Sequence, residues 1–356
     1  MRRGHMRTII RIILIITVVI NVFSSNALAI EQQKLEELLQ TNSALDGATL
    51  SVSVRSAHTG EILYEHLADT RLRPASNMKL FTAASALSVL GEHHRFTTDL
   101  YMDGKVRWKV LYGDLFIKGS GDPTLLKSDI DDLVQQVKAK GVTIIKGDLV
   151  GDDSRYDDQR YSIDLPWSDE EASYGAQVSA LTVSPDNDYN AGTITVEVSP
   201  GNEIGEQGTV IISPLSSPLT IINTSTTVET EERTSLTISR KHGTNDLYIK
   251  GDIPINAPIQ KQMIALWEPT NYVLALMKQS LKEHGITLLG KEKLEKTPVT
   301  AKKIASHSSI PLSELLIPFM KQSNNGHAEA LVKEMGYVRK DQGSWEKGNS
   351  SVTRRN

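Results

Sequence analysis

Residues 73–81 read Arg73-Pro74-Ala75-Ser76-Asn77-Met78-Lys79-Leu80-Phe81 and are followed by an alanine-rich apolar run. Their apolar positions recur at helical spacing and predict a buried helix that begins near Ala75. Ser76 and Lys79 are three positions apart, so a helix places them on one face, about one turn apart. Phe81 indicates that this turn lies inside the protein, where a lysine without a partner is unfavourable.

The pair Ser76 and Lys79 has the residue types of a nucleophile and its base. A serine hydroxyl is a poor nucleophile until a base takes its proton, and a lysine serves as base when burial and neighbours lower its pKa. The start of a helix adds partial positive charge that favours an oxyanion near the serine. The pattern alone is weak, because Ser344 and Lys347 repeat it and a solvated surface pair explains either site.

A second motif, Ser323-Asn324-Asn325, lies 247 positions after Ser76 and between two predicted apolar helices. Serine and asparagine at this spacing form the second element of serine acyl-transferases that bind penicillin and of class A β-lactamases. Asparagine and serine are also good helix N-caps. Capping is therefore the alternative interpretation, and one loop can serve both purposes.

The composition of the 356 residues excludes several classes of protein. An apolar fraction of 39% and a charged fraction of 23% exclude a wholly disordered chain, a collagen-like fibre and a multi-span membrane protein. The chain has no cysteine, which excludes disulfide scaffolds, zinc ribbons, iron–sulfur sites and thiol nucleophiles. A net charge of −4 gives no electrostatic support for nucleic-acid binding.

Residues 1–29 have the pattern of a secretory signal peptide. Four arginines precede the apolar run Ile12 to Ile20, and Ala27-Leu28-Ala29 is a cleavage site that releases a chain starting at Ile30. The alternative, an uncleaved anchor, requires a longer run to cross ~30 Å of hydrocarbon. Cleavage removes 29 of the 356 residues, four of them arginines and none acidic, which leaves 327 residues with a net charge of −8. We expect an exported acidic protein without a transmembrane anchor.

From about residue 97 to residue 300 the sequence changes to short β-rich pieces separated by Gly-Asp turns. One helix, over 128–140, interrupts this pattern. Residues 192–250 are rich in Thr, Ser, Val and Ile and predict a small β module, with an ordinary continuation of one domain as the alternative. Further helices are predicted over 272–283, 312–320 and 328–335.

A group of aspartates lies in the turns of this region and raises the possibility of a calcium site. The group lacks the loop spacing of an EF-hand. Turn and surface roles are therefore favoured, and no metal or other cofactor is expected. The residues are Asp148, Asp152, Asp153, Asp157 and Asp158.

Over about residues 45–348 the sequence resembles the class C low-molecular-mass penicillin-binding proteins, the D-alanyl-D-alanine carboxypeptidase/endopeptidase type, and it looks similar to Bacillus members. Each matching piece is modest, but their order and number are specific. The pieces are Leu63-Tyr64-Glu65-His66, residues 73–79, Lys118-Gly119-Ser120-Gly121-Asp122-Pro123-Thr124-Leu125, Gly151-Asp152-Asp153, Pro166-Trp167-Ser168-Asp169-Glu170, Ser179-Ala180-Leu181 and Ser323-Asn324-Asn325-Gly326-His327-Ala328-Glu329.

The resemblance implies an α+β multidomain protein, in which a penicillin-binding, β-lactamase-like transpeptidase domain carries a large strand-rich insert. This arrangement explains the long separation of the two motifs. After the signal peptide at 1–29, residues 30–96 and 301–356 would form the catalytic domain, incomplete at its C-terminus. Residues 97–191 and 251–300 would form domain II, and 192–250 a small β domain III nested in it.

The resemblance also implies roles for five residues in the hydrolysis of peptidoglycan stem peptides. Ser76 would be acylated, Lys79 would be its base, and Ser323 would relay a proton to the leaving D-alanine. Asn325 would bind the substrate amide and Lys79, while Asp153 would contact substrate, with a turn-capping role as an equal alternative. β-Lactam antibiotics would be covalent inhibitors, no nucleic acid would bind, and the protein would act outside the cytoplasm, in the cell wall or a periplasm-like space.

One feature of the family pattern is missing. The resemblance implies a third motif, the triplet K-T-G, on a strand downstream of Ser323, and no such triplet follows Asn325 in this sequence. After Gly348 the sequence turns polar and has no helical period, which we interpret as a frameshift or premature stop. We therefore expect an impaired or inactive chain. The alternatives are a non-catalytic wall- or penicillin-binding remnant and, less favoured, a β-lactamase or esterase.

Overall fold

The computed structural model describes residues 32–216 and 219–352. The predicted signal peptide therefore lies outside the described residues. The chain divides into two compact units, Met1–Ala75 and Ser76–Asn356. Within the described residues, none of the helices is both long enough and apolar enough to cross a membrane.

The described part of the first unit consists of one helix and one hairpin. Helix α1 covers 32–41, and a 3₁₀ turn follows at Ser43–Leu45. Strands β1 (Val52–Arg55) and β2 (Ile62–His66) pair antiparallel. Gly60, with φ of 74°, supplies the left-handed residue of the connecting turn. The apolar spacing over 32–39 predicts this helix, and two short strand patterns on either side of Thr59-Gly60 predict the hairpin, so the structure confirms both.

A helical layer is formed by the first and the last helices in the sequence of the second unit. It consists of α2 (Met78–Leu90), α5 (Leu312–Lys321), α6 (Asn325–Lys340) and α7 (Trp345–Val352). Its apolar core is small and is formed by Ala86, Phe96, Leu312, Leu315, Phe319, Leu331 and Met335.

The prediction of a fully buried helix at α2 is wrong. Only Lys79 and Ala86 are buried along it, whereas Phe81 is 66% exposed and Leu80 also faces solvent. Ala86 packs in the core of the layer with the partly buried Ala83 and Leu90 beside it, so α2 contributes a narrow strip of mostly small side chains. Apolar spacing identified the helix but not the side of it that is covered.

The sequence after Gly348 has no helical period, yet a helix continues through its first residues. Helix α7 extends through residue 352. Ser344 Oγ accepts from the backbone N–H of Lys347 at 3.2 Å, and the Ser350 and Ser351 hydroxyls donate to the Lys347 carbonyl. Trp345 packs against the buried cluster of Tyr156, Val178, Ala180 and Ala330. Local caps and one aromatic contact thus outweigh the missing apolar period.

The remainder of the second unit is the sheet region, residues 97–308. Its largest sheet has the order β13-β5-β4-β3-β15, with β6 between β4 and β14. The strands are β3 (Thr97–Arg107), β4 (Val110–Gly119), β5 (Ile144–Ile145), β6 (Leu149–Asp152), β13 (Thr287–Leu288), β14 (Glu292–Leu294) and β15 (Lys302–Ser308). Helices α3 (Lys127–Ala139) and α4 (Pro269–Glu283) pack on this sheet and on each other.

Two three-stranded sheets complete the sheet region. One has the order β12-β7-β8 and is antiparallel, and the other has the order β10-β11-β9 with β11 parallel to β9. The strands are β7 (Thr193–Ser199), β8 (Thr209–Ser213), β9 (Thr220–Val228), β10 (Thr237–Arg240), β11 (Asp246–Pro254) and β12 (Gln260–Ala265). Separate helical and sheet regions confirm the α+β class.

Candidate active site

The structure brings Ser76 and Lys79 together as their spacing predicts. Ser76 lies in a 3₁₀ turn, Ala75–Asn77, that leads directly into α2, whose second residue is Lys79. Lys79 Nζ donates to Ser76 Oγ at 3.3 Å. The serine is exposed, whereas the lysine is 8% exposed. A hydroxyl open to solvent therefore contacts an amine that is largely shielded from solvent.

The second motif reaches the same serine from the other end of the chain. Ser323 Oγ donates to Ser76 Oγ at 2.8 Å, although 247 residues separate the two. Ser323 has a φ of 53°, a left-handed conformation that is unfavourable for a residue with a Cβ. Strain of this kind is often found where a side chain is held for function.

The three residues of the second motif divide the capping and active-site positions between them. Asn324 is the N-cap of α6, and its side chain accepts from the backbone N–H of His327 at 3.0 Å. Because Asn324 caps the helix, the side chain of Asn325 is free to point elsewhere. Its Oδ1 accepts from Lys79 Nζ at 2.6 Å, and its Nδ2 donates to the Tyr174 carbonyl at 3.3 Å.

The electrostatics of Lys79 favour its neutral form more than those of an exposed lysine. Burial lowers the pKa of Lys79 below its ordinary value of 10.5, and the negative charge of Glu329 opposes this by raising it. The net direction is downward, as a general base requires.

Asp153 lies apart from these four residues and forms no hydrogen bond with them. Its carboxylate accepts from Arg160 at 2.5 Å, from Thr270 Oγ1 at 2.7 Å and from Ser179 Oγ at 3.3 Å. The neighbouring Asp152, not Asp153, caps the turn at Ser154. Substrate contact by Asp153 stays a prediction.

Two of the other aspartates considered as a calcium site contact lysines. Asp148 lies 3.4 Å from Lys293, and Asp157 accepts from Lys333 at 2.5 Å. Among the residues that the structure describes, no group of three or more acidic, histidine or cysteine side chains is arranged to hold a metal ion.

Sequence reasoning missed the wall of a cavity beside Asn325. The cavity is about 270 Å³ and is bounded by the segment 161–178 and by the start of α6. Its lining includes Asp169, Tyr174 and Glu329. Pro166-Trp167-Ser168-Asp169-Glu170 was part of the family resemblance, yet nothing in its spacing assigns it a place beside the second motif.

His327, to which the sequence assigns no role, is a buried residue in the first turn of α6, next to the second motif. Its ring is fully buried, and Nε2 lies 2.7 Å from the Tyr189 carbonyl. Burial lowers the pKa of His327 to about 4, so the ring is neutral at neutral pH.

The other Ser-x-x-Lys pair, Ser344 and Lys347, lies at the start of a helix. Ser344 Oγ accepts from the backbone N–H of Lys347, while Lys347 Nζ contacts Glu346 rather than Ser344.

Comparisons with known proteins agree with this geometry. Residues 31–355 match the model of the D-Ala-D-Ala carboxypeptidase 3 (S13) family. A D-alanyl-D-alanine carboxypeptidase of Actinomadura sp. (strain R39) is 38% identical over 308 residues, which are 86% of this chain and 57% of that protein. A second relative, D-alanyl-D-alanine carboxypeptidase DacB of Haemophilus influenzae, is 24% identical over 293 residues, 82% of this chain and 60% of that protein.

Solved structures confirm the fold. The crystal structure of penicillin binding protein 4 (dacB) from Haemophilus influenzae matches with a TM-score of 0.76 at 24% identity, covering 89% of this chain and 68% of that one. A second structure of that protein, complexed with a β-lactam, matches with a TM-score of 0.69 at 23% identity, covering 89% and 67%. The chain spans about 60% of the length of the two curated relatives described above. It belongs to the D-Ala-D-Ala carboxypeptidase 3 (S13) family.

Proposed function

We propose that the protein is a serine-type D-Ala-D-Ala carboxypeptidase or endopeptidase that acts on peptidoglycan stem peptides outside the cytoplasm and is inhibited by penicillin. The observation that carries the proposal is the convergence of Lys79 Nζ and Ser323 Oγ on Ser76 Oγ, at 3.3 and 2.8 Å. Relatives named D-alanyl-D-alanine carboxypeptidase support the substrate class.

In the acylation step, Ser76 Oγ attacks the carbonyl carbon between the two D-alanines. Its proton passes to the neutral amine of Lys79, and an Oγ–C bond forms. The C–N bond then breaks, and the leaving amine receives a proton from the Ser323 hydroxyl, which takes one from Lys79 in turn. Asn325 holds Lys79 in place through its 2.6 Å hydrogen bond and offers its amide to the substrate. The backbone N–H of Ser76 is one donor to the oxyanion.

Water completes the cycle by hydrolysing the Ser76 ester, which returns the proton to the serine and releases the shortened peptide. If the leaving amine is free D-alanine the reaction is that of a carboxypeptidase, and if it belongs to a crosslink it is that of an endopeptidase. Penicillin would acylate Ser76 through its β-lactam carbonyl, and its tethered leaving group would hinder the attack of water.

Labelling with a fluorescent penicillin tests this mechanism. We expect a covalent adduct on Ser76, identified by peptide mass spectrometry and lost in Ser76→Ala. Lys79→Met should slow labelling by about 10²–10⁴-fold, since general-base catalysis contributes that much. Lys347→Met is the matched control, because Lys347 belongs to the other Ser-x-x-Lys pair and should label at the parent rate. An adduct that persists in Ser76→Ala would refute the assignment.

We further propose that these 356 residues on their own react with penicillin only slowly. The K-T-G strand would supply a second oxyanion donor, and loss of one donor costs roughly 10²–10³ in rate. Release of D-alanine from a pentapeptide would distinguish a peptidase from a protein that only binds penicillin, and turnover of nitrocefin would identify a β-lactamase. Stoichiometric labelling within seconds would contradict the expected impairment.

A further inference from the structure

One acidic side chain of α6, Glu329, lines the same cavity as Asn325, which binds the active-site lysine. It lies one turn after Asn325 and one turn before Lys333, so three polar side chains follow one face of the helix at i, i+4 and i+8. Asn325 accepts from Lys79 at 2.6 Å, and Lys333 donates to Asp157 at 2.5 Å. Glu329 is thus placed between two cations along the helix.

The Glu329 carboxylate is not committed to another partner. Within the part of the chain that the structure describes, it has neither a hydrogen bond nor an ion pair within 4 Å. Its neighbour Glu334 is instead held by Arg155 in a fork of 2.8 and 2.6 Å. Glu329 also lines the cavity beside Asn325, so it borders the space open to a ligand.

We propose that Glu329 is the counter-ion of the active-site lysine, and that its carboxylate balances the ammonium formed when Lys79 accepts the proton of Ser76. This inference rests on the proposed function and adds a residue to it. A cation that forms at a largely buried position is unfavourable without a nearby anion. Because Glu329 acts on Ser76 only through Lys79, it is a positioning residue.

Other charged groups near the pair are bound to partners of their own or line the same cavity. Lys333 attracts Glu329 but is bound to Asp157, and Arg160 beside it is bound to Asp153. The cavity wall adds two carboxyls and two phenols facing the same space. These are Asp164, Asp169, Tyr161 and Tyr174.

The electrostatic directions agree with the geometry. Glu329 raises the pKa of Lys79 against the lowering caused by burial. Burial raises the pKa of Glu329 itself, while Lys333 and then Lys79 lower it. Removal of the negative charge should therefore lower the pKa of Lys79, and the lysine would become neutral at a lower pH.

The test is a direct titration of Lys79 in the full chain, followed by NMR of ¹³Cε-labelled lysine and assigned with Lys79→Arg. We expect Glu329→Gln to lower the pKa of Lys79 by about 1 unit, the lower end of the effect of a nearby opposite charge. Glu329→Asp keeps the negative charge, so the pKa of Lys79 in this variant should stay close to that of the parent chain. Glu346→Gln, which removes an exposed carboxylate of α7 that pairs with Lys347, should leave the Lys79 titration unchanged.

An unchanged Lys79 titration in Glu329→Gln would overturn the inference. If that variant does not fold, the Glu329 carboxyl is titrated in the parent chain instead. The inference requires the Lys79 resonance to shift as Glu329 gains its proton, and the absence of such a shift would overturn the inference. None of these readouts needs acylation. A chain in which Lys79 responds to Glu329 but Ser76 takes no penicillin would refute the proposed function and leave the counter-ion assignment standing.

Discussion

The sheet region and the helical layer achieve burial in different ways. The sheet region has a continuous apolar core of 32 residues among those described, whereas the helical layer has seven. The layer instead buries charged and polar side chains on α6, where His327, Lys333 and Glu334 are all completely inaccessible to solvent. The site residues Ser76, Lys79, Ser323 and Asn325 all belong to the layer or to the turns that begin its helices.

The two kinds of burial stabilise the molecule in different ways, and the candidate site lies in the region that depends on paired charges. Apolar burial stabilises by roughly 25 cal/mol per Å², without requirements on orientation, whereas buried charges stabilise only when each is paired with good geometry. The layer should therefore be sensitive to the loss of single polar partners, and the sheet region to the loss of volume. The predictions below test that contrast.

The largest effect is expected from Glu334→Gln in the helical layer. Glu334 holds Arg155 in a two-bond fork and lies 3.4 Å from His94. Removal of one partner of a buried ion pair leaves the other charge uncompensated, which costs about 3–5 kcal/mol. Urea denaturation would measure this loss. The control Glu346→Gln alters an exposed carboxylate and should change the unfolding free energy by less than about 0.5 kcal/mol.

A matched pair of cavity mutations compares the two regions directly. Leu133 on α3 and Leu331 on α6 are both fully buried. Leu→Ala costs about 2–5 kcal/mol, and the value depends on how far the site can collapse. We expect Leu133→Ala near the middle of this range and Leu331→Ala near its lower end, because the small core of the layer has exposed neighbours that can move. Equal losses would mean that both cores are equally rigid.

Acid should weaken the helical layer through His327. Its folded pKa of about 4 is below the ordinary value of 6.5, so the unfolded chain binds a proton first as the pH falls. The stability from the neutral ring is present above pH 6.5 and is lost as the pH falls towards 4, by up to about 3 kcal/mol. His327→Gln should flatten the pH dependence of the urea midpoint in this window. His93→Gln changes an exposed ring and should leave the dependence as it was.

The contrast also explains which elements could be predicted from the sequence. Helices α3 and α4 were found within a few residues because one face of each packs on a large core and leaves a strong apolar period. Strand β9 was missed, because its Thr-Ser-Thr run is polar and only its pairing with β11 fixes it. The covered side of α2 could not be read from apolar spacing, because large apolar side chains such as Leu80 and Phe81 lie on its exposed side.

In the candidate active site too, local contacts could be predicted from the sequence and distant ones could not. The pairing of Ser76 with Lys79 is local and could be predicted from a spacing of three residues. The approach of Ser323 and Asn325 depended on a family resemblance, because no local pattern connects residues so far apart in the chain. Glu329 and residues 166–170 belong to stretches that carry the family resemblance, but nothing in their spacing predicts that they border one cavity, since an acid on a helix and a loop with tryptophan are common on any surface.

The smallest effect is expected at the exposed side of α2. Phe81 and Leu80 are more than half exposed, so Phe81→Ser removes little buried area and should change the unfolding free energy by less than about 0.5 kcal/mol. Adjacent exposed apolar residues favour association, so the variant should stay monomeric at higher concentration and bind less of an apolar dye. Light scattering and dye fluorescence would measure this. A loss of more than about 2 kcal/mol would show that Phe81 is packed in solution, and the contrast between a closed sheet region and an open helical layer would then fail at α2.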